Sequence, residues 1–384
     1  MTVYLDHAAS TPLRTEVREA MEPYFSETFA NPSGVHRGAK AARRAIDNAR
    51  ERLAAVLSCE PSEVIFTSGG TEADNLAVTG SALRAVAEGG SPLVCCSAVE
   101  HPAVLEPVRF LGGLELPVDG DGVVSLDALA SVLAEAGDRI ALVSVMTANN
   151  ETGVVQPLGD VAGLVHTLAP DALVHTDAVQ AFCWLDLAER AEGADLVSVT
   201  AHKFGGPKGS GALVARGIAR TRLAPILRGG PQERELRAGT PNVAGIVGLA
   251  AAAELAHRER EAATARAREL SGRLLDGIAN AVPGARLASA QAERLPSIVN
   301  VGLPGLSSEE VLVLLDELGV AASAGSACAS GALEPSPVLT AMGLSPAEAR
   351  THVRFSLGPS TTGEEIDAAV DALAEAAARL AATG

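Results

Sequence analysis

Seven short apolar runs mark the first two-thirds of the chain: Val64–Thr67, Leu93–Ser97, Leu114–Val118, Ala141–Met146, Ala172–Thr176, Leu196–Thr200 and Ala212–Ala215. Several are almost unbroken in apolar residues, as expected of strands covered on both faces. Stretches of helical length separate many of them, including Thr71–Ala87, Ser125–Ala136 and Leu158–Leu168. This alternation predicts an α/β domain built on a mostly parallel sheet. Val243–Val282 then reads as one long helical region whose mixed charges, among them Glu254, Arg258, Glu259 and Arg260, suggest a solvated face. Beyond it, Ile298–Val301 and Val353–Leu357 read as strands, and Ser308–Leu318 and Glu364–Ala382 as helices. The segment Ala321–Gly331 contains only Ala, Ser, Gly and Cys, so it lacks anchoring side chains and is expected to be a mobile loop.

A chain of 384 residues suits one large domain and a smaller one. Aromatics are 3% of residues, so the core must be aliphatic. The formal net charge of −17 disfavours direct nucleic-acid binding, which needs a basic stripe. No apolar run approaches the ~20 residues of a membrane span, and the start lacks a basic leader, so the expected location is cytoplasmic. The five cysteines, Cys59, Cys95, Cys96, Cys183 and Cys328, show neither disulfide nor zinc spacing, so no metal is expected. Lysine occurs only at Lys40, Lys203 and Lys208. Chemistry that needs a neutral amine therefore has three candidates, because arginine does not deprotonate in proteins.

Ligands of open parallel sheets sit beyond the carboxyl ends of the strands. After Val64–Thr67 comes Ser68-Gly69-Gly70-Thr71-Glu72, which is either a phosphate cup at a helix start or a plain turn capped by Thr71. Glu100-His101 follows Leu93–Ser97; an imidazole there can stack on a flat ring and move protons, or be structural. Asn149-Asn150 after Ala141–Met146 can bond a ligand or close an Asx turn. Asp177, with Gln180 beyond it, follows Ala172–Thr176, and Ala201-His202-Lys203 follows Leu196–Thr200. A carboxylate and a lysine at neighbouring strand ends suit pyridoxal phosphate (PLP): the carboxylate keeps the pyridine nitrogen protonated and the lysine forms the Schiff base. A salt bridge at the sheet edge is the plainer reading. Cys328 lies in the small-residue loop, where a thiol is accessible. Arg354 is a charge inside the apolar run Val353–Leu357, which suggests either bidentate capture of a carboxylate or a structural ion pair.

In this order the segments resemble the cysteine desulfurases of the NifS/IscS type, within the class V aminotransferases. The resemblance covers nearly the whole chain. It rests on Tyr4-Leu5-Asp6-His7-Ala8-Ala9-Ser10-Thr11-Pro12, Asn31-Pro32-Ser33, Thr67-Ser68-Gly69-Gly70-Thr71-Glu72, Glu100-His101 and Asn149-Asn150-Glu151-Thr152-Gly153. It continues in His175-Thr176-Asp177-Ala178-Val179-Gln180, Ala201-His202-Lys203, Arg237-Ala238-Gly239-Thr240, Gly325-Ser326-Ala327-Cys328 and Arg354-Phe355-Ser356-Leu357-Gly358. The resemblance implies a PLP-dependent transferase of fold type I: a large domain with a mostly parallel seven-stranded sheet over 14–255, and a small α+β domain from 1–13 and 256–384. It implies that Lys203 carries the cofactor, Asp177 meets the pyridine nitrogen, Gln180 meets the ring hydroxyl and His101 stacks on the ring. Gly70, Thr71, Thr200 and His202 match the phosphate cup, and Thr240 a residue reaching the phosphate of the neighbouring subunit of a homodimer. Asn150 matches a residue near cofactor and substrate, Asn31 and Arg354 the substrate carboxylate contacts, and Cys328 the persulfide cysteine. Thr200, Ala201 and Ala324 replace the Ser, Gly and Ser common in relatives; Thr200 keeps the hydroxyl.

The implied reaction takes L-cysteine to alanine. The freed Lys203 amine removes the α-proton, Cys328 attacks the substrate sulfur as thiolate, and His101 is the candidate acceptor of its proton. The sulfur would pass to an acceptor protein, an iron–sulfur scaffold or a thiolation relay. The alternatives are a selenocysteine lyase or another class V aminotransferase, and, from another class, a non-catalytic sulfur-carrier scaffold.

Overall fold

The computed structural model describes residues 2–325 and 335–383. Strand β1 (Val3–Tyr4) opens the chain, and seven strands form the central sheet: β2 (Val64–Thr67), β3 (Leu93–Ser97), β4 (Leu114–Leu116), β5 (Ile140–Ser144), β6 (Leu173–Asp177), β7 (Leu196–Thr200) and β8 (Gly211–Ala215). Their spatial order is β2-β8-β7-β6-β5-β3-β4. β4, β3, β5, β6 and β7 pair in parallel, whereas β8 runs antiparallel to both β7 and β2. The chain between β7 and β8 holds only a single turn of 3₁₀ helix, Ala201–Lys203, and is too short for the crossover that a parallel neighbour needs.

Alternate strand residues enter different cores. Val64 and Phe66, Cys95, and Ala212 and Val214 join one apolar cluster. Their neighbours Ile65, Val94 and Cys96, and Leu213 and Ala215 join the cluster on the opposite face. Both faces are therefore covered, which explains the near-continuous apolar runs.

The remaining strands are β9 (Arg286–Leu287), β10 (Ile298–Gly302), β11 (Val320–Ala321) and β12 (His352–Ser356). β10 pairs antiparallel with both β9 and β12, while β1 pairs parallel with β11. A separate apolar cluster joins Leu5, Val299, Val301, Val353, Phe355, Ile366 and Leu373. The helix Val243–Ala281 has 39 residues, about 58 Å at the usual rise. Its first part packs Leu249 and Ala252 into the large core, and its last turns pack Leu270, Leu274 and Ile278 into the second. β1 thus ties the N-terminal strand to the second core, and the residues that follow it return to the central sheet.

Candidate active site

The carboxyl ends of the parallel strands open into a cavity of about 300 Å³. Its walls come from Gly70 and Thr71 after β2, Glu100 and His101 after β3, Asn150 and Glu151 after β5, Asp177 at the end of β6, and Lys203 after β7. Ala8 and Ala9 reach it from the N-terminal strand's extension, and Gly325 and Arg354 from the β12 side.

Lys203 is the only one of the three lysines on this cavity; Lys40 and Lys208 are exposed. Its Nζ donates to the carbonyl of Ala8 and, at 3.0 Å, to that of Ala9. Gln180 Nε2 donates to the same Ala8 carbonyl at 2.8 Å. Asp177 is the last residue of β6, and Val179 N–H donates to its Oδ1 at 2.8 Å. Burial raises the Asp177 carboxyl, while His101, the Val179 N–H and Lys203 act to lower it.

His101 is the N-cap of the helix Pro102–Phe110, its Nδ1 accepting from Ala103 N–H at 3.1 Å. Burial pushes its pKa below the ordinary value; Asp177 opposes this and Lys203 adds to it. A neutral ring with Nδ1 engaged carries its hydrogen on Nε2.

Gly69 is the N-cap of the helix Gly70–Ala87 and makes no side-chain cap. Thr71 lies inside the first turn, so the simple Thr71-capped turn is not formed; Gly70 and Thr71 line the cavity at a helix start, where backbone N–H groups lack intrahelical partners. A Cβ on Gly70 would stand 3.0 Å from Val179 Cγ2. Thr200 Oγ1 donates to the Ser210 carbonyl at 3.2 Å, and burial, helped by Lys203 and Lys208, pushes His202 down to about 4.

Of the two consecutive amides, Asn149 closes the turn. Its Oδ1 accepts from Glu151 N–H at 2.8 Å and Thr152 N–H at 2.9 Å, and its Nδ2 donates to Val99 O. Asn150 is the one on the cavity. Arg354, 1% exposed, makes a structural ion pair through Nη2 to Asp6 Oδ1 at 2.8 Å. Nη1 donates to the carbonyls of Asn150 at 2.9 Å and Gly325 at 2.8 Å. Among the described residues its buried Nε has no hydrogen-bond partner, although the side chain lines the cavity. A buried orphan donor of this kind calls for an acceptor. The ion pair with Asp6 therefore holds one edge of the guanidinium, and Nε is left on the other.

Two expected residues lie elsewhere. Asn31 and Thr240 are exposed and off this cavity, Asn31 Oδ1 accepting from Ser33 N–H at 2.9 Å. Cys328 lies outside the described residues. Conversely, the cavity contains carboxyls that sequence reasoning passed over. Asp74 and Glu100 are each 1% exposed, and Asp74 Oδ1 and Glu100 Oε2 have no partner among the described residues. Burial and then the Asp177 charge hold both well above the usual carboxyl range. Asp74 Oδ1 lies 3.6 Å from His175 Nε2, and His175 bonds Ser144 Oγ at 2.8 Å and Ser198 Oγ at 3.0 Å. The helix places Asp74 over the sheet, a direction its position in an amphipathic pattern did not reveal; Glu100 stood beside His101 and drew no separate weight.

Residues 3–369 match the family described as aminotransferase class-V. The cysteine desulfurase IscS of Dictyoglomus turgidum is 42% identical over 376 residues, covering 97% of this chain and 93% of that one. The IscS-like cysteine desulfurase of Mycobacterium tuberculosis is 42% identical over 384 residues, covering 98% and 96%. A solved NifS-like protein superposes with a TM-score of 0.90 at 34% identity, covering 99% of this chain and all of that one. A structure described as SspA in complex with cysteine gives 0.79 at 36% identity, covering 94% and 100%. With motifs, sheet topology and relatives in agreement over almost its full length, the chain belongs to the class V aminotransferase family, among its cysteine desulfurases of the NifS/IscS type.

Proposed function

We propose that the cavity holds pyridoxal 5′-phosphate on Lys203 and that the enzyme converts L-cysteine to L-alanine, leaving the sulfur on Cys328 as a persulfide. The observation that carries this reading is the convergence of Lys203, Asp177 and His101 on one cavity also lined by Arg354, whose Nε has no hydrogen-bond partner among the described residues. The residues fit the cofactor: Gly70 leaves room where a Cβ would crowd Val179, the helix start and Thr200 suit a phosphate, and Asp177 suits a protonated ring nitrogen. When bound, the cofactor acts as an electron sink that makes the substrate's α-hydrogen acidic.

The chain's own groups do the rest. Arg354 offers Nε, beside Nη2, to the substrate carboxylate, with Asn150 next to it. Lys203 Nζ, held near the Ala8 and Ala9 carbonyls, takes the α-proton. His101 accepts the Cys328 thiol proton and returns it to the carbon that loses the sulfur. Cys328 as thiolate bonds to the substrate sulfur; the carbon–sulfur bond breaks, its electron pair stays on carbon, and that carbon is protonated to give alanine. Thr240, exposed and off its own chain's cavity, is proposed to reach the phosphate site of a second copy in a homodimer. The persulfide then passes to an acceptor protein, an iron–sulfur scaffold or a thiolation relay.

The test is Lys203→Ala. The purified variant should lack the absorbance of a lysine-bound cofactor and form no alanine from L-cysteine. Alanine at the parent rate from this variant removes Lys203 from the reaction.

A further inference from the structure

We propose that Glu151 is a positioning residue that clasps both flanks of the segment carrying Cys328. The inference rests on the reading of Cys328 as the sulfur acceptor. Glu151 is buried on the cavity wall, and its backbone is fixed at two points: its N–H donates to Asn149 Oδ1 at 2.8 Å, and its carbonyl accepts from Asn300 Nδ2 on β10 at 3.1 Å. Its carboxylate meets both sides of the segment. On one side Gly325 packs so closely that a Cβ there would lie 2.6 Å from Glu151 Oε2, and its φ of +104° already favours glycine. On the other, Ser336 Oγ donates to the same Oε2 at 2.5 Å. The same Ser336 Oγ accepts from Leu339 N–H at 3.1 Å, so the clasp is continuous with the helix Pro337–Ala341.

Arg354 reinforces the first flank. It pairs with Ser323 through both backbone groups, at 2.7 and 3.1 Å, and Nη1 holds the Gly325 carbonyl. Arg354 also lies close enough to Glu151 to act electrostatically on its carboxyl. The guanidinium proposed to bind substrate and the carboxylate holding the flanks thus share one wall. Among the described residues Glu151 contacts Gly325 and Ser336, between which Cys328 lies in the sequence, and it acts by fixing those two.

The test separates substrate engagement from sulfur transfer in the holoenzyme. The cofactor absorbance change on adding saturating L-cysteine reports the first, and alanine formed in a single turnover reports the second. Glu151→Ala should leave the absorbance change within about two-fold while slowing alanine formation tens- to a hundred-fold, the usual cost of misplacing a reacting group by about 1 Å. Glu151→Gln, which keeps an acceptor for Ser336, should fall within about three-fold of the parent in both. Ser336→Ala should show the same split as Glu151→Ala, smaller because one flank is released. Normal single-turnover alanine in Glu151→Ala, or equal losses in both readouts with Ser336→Ala unaffected, overturns the proposal. Cys328→Ala run alongside keeps the two ideas apart: if it forms alanine normally, the reading of Cys328 has failed, whatever Glu151 does.

Discussion

His175 lies two residues before Asp177 on β6, in the buried layer beneath the cavity. Its ring is fully buried, and that burial pushes its pKa from the ordinary 6.5 to about 3. The unfolded chain takes up a proton as pH falls through 6.5, and the folded chain refuses it until about 3. Stability is therefore lost on acidification, with a slope approaching about 1.36 kcal/mol per pH unit. Between about pH 7 and pH 5 this one group removes about 2 kcal/mol. The perturbation is His175→Asn, which keeps hydrogen-bonding capacity toward Ser144 and Ser198 but has nothing to titrate. The assay is the urea dependence of unfolding of the cofactor-free protein at the two pH values. The comparison is between pH dependences, whatever the variant's stability at either pH. Asp74 and Glu100, raised by burial, contribute with the opposite sign, since their stabilisation is lost as pH rises above the ordinary carboxyl value. Glu100 remains in both proteins and cancels in the difference; Asp74, in contact with His175, cancels as long as it stays protonated in both. The parent should lose about 2 kcal/mol more than the variant on going to pH 5. Equal losses would refute the reasoning and mean that Asp74, 3.6 Å away, is ionised and supports a charged His175.

The thiols of Cys59, Cys95 and Cys183 are pushed up to about 12 by burial, and that of Cys96 is raised as well. Brief alkylation of the native protein near neutral pH should therefore label Cys328 alone, read by peptide mass spectrometry; prompt label on Cys95 or Cys183 contradicts this. Gly70→Ala forces Val179 to yield to a contact of 3.0 Å, so the apoprotein should lose about 1–3 kcal/mol of stability in urea unfolding, and an unchanged stability would show that Val179 yields freely. Arg354→Lys keeps the charge but loses the planar edge at Nε; KM for L-cysteine should rise about ten- to a hundred-fold, and an unchanged KM would show that the carboxylate binds elsewhere.

Much of this architecture was legible because both-face burial leaves a plain trace. Each predicted run coincides with a strand within one or two residues at most ends, and β6 extends to include Asp177 itself. The place of Lys203 on the cavity was legible from its position just after a strand end, and the ion pair of Arg354 because a charge inside an apolar run demands partners. The reversed direction of β8 was not read, although the short Gly-rich link after Lys203 left no room for a crossover helix. Nor was the buried set of Asp74, His175 and Ser198, because it depends on how the helix Gly70–Ala87 lies across β6 and β7, a fact of packing rather than of periodicity. Glu151 was quoted for its motif, yet its contacts to Gly325 and Ser336 are long-range. Thr240 and Asn31 are exposed and off the cavity, and no sequence pattern states what they contact.

The most direct measurement is alanine production from L-cysteine by the purified parent and Cys328→Ala, each loaded with pyridoxal phosphate, with mass spectrometry of the Cys328 peptide. The account predicts alanine and a sulfur adduct on that peptide from the parent, and little alanine from the variant. Equal alanine from both proteins, or none from a cofactor-loaded parent, would contradict it: the first would remove Cys328 from the transfer, and the second would move the enzyme to another substrate.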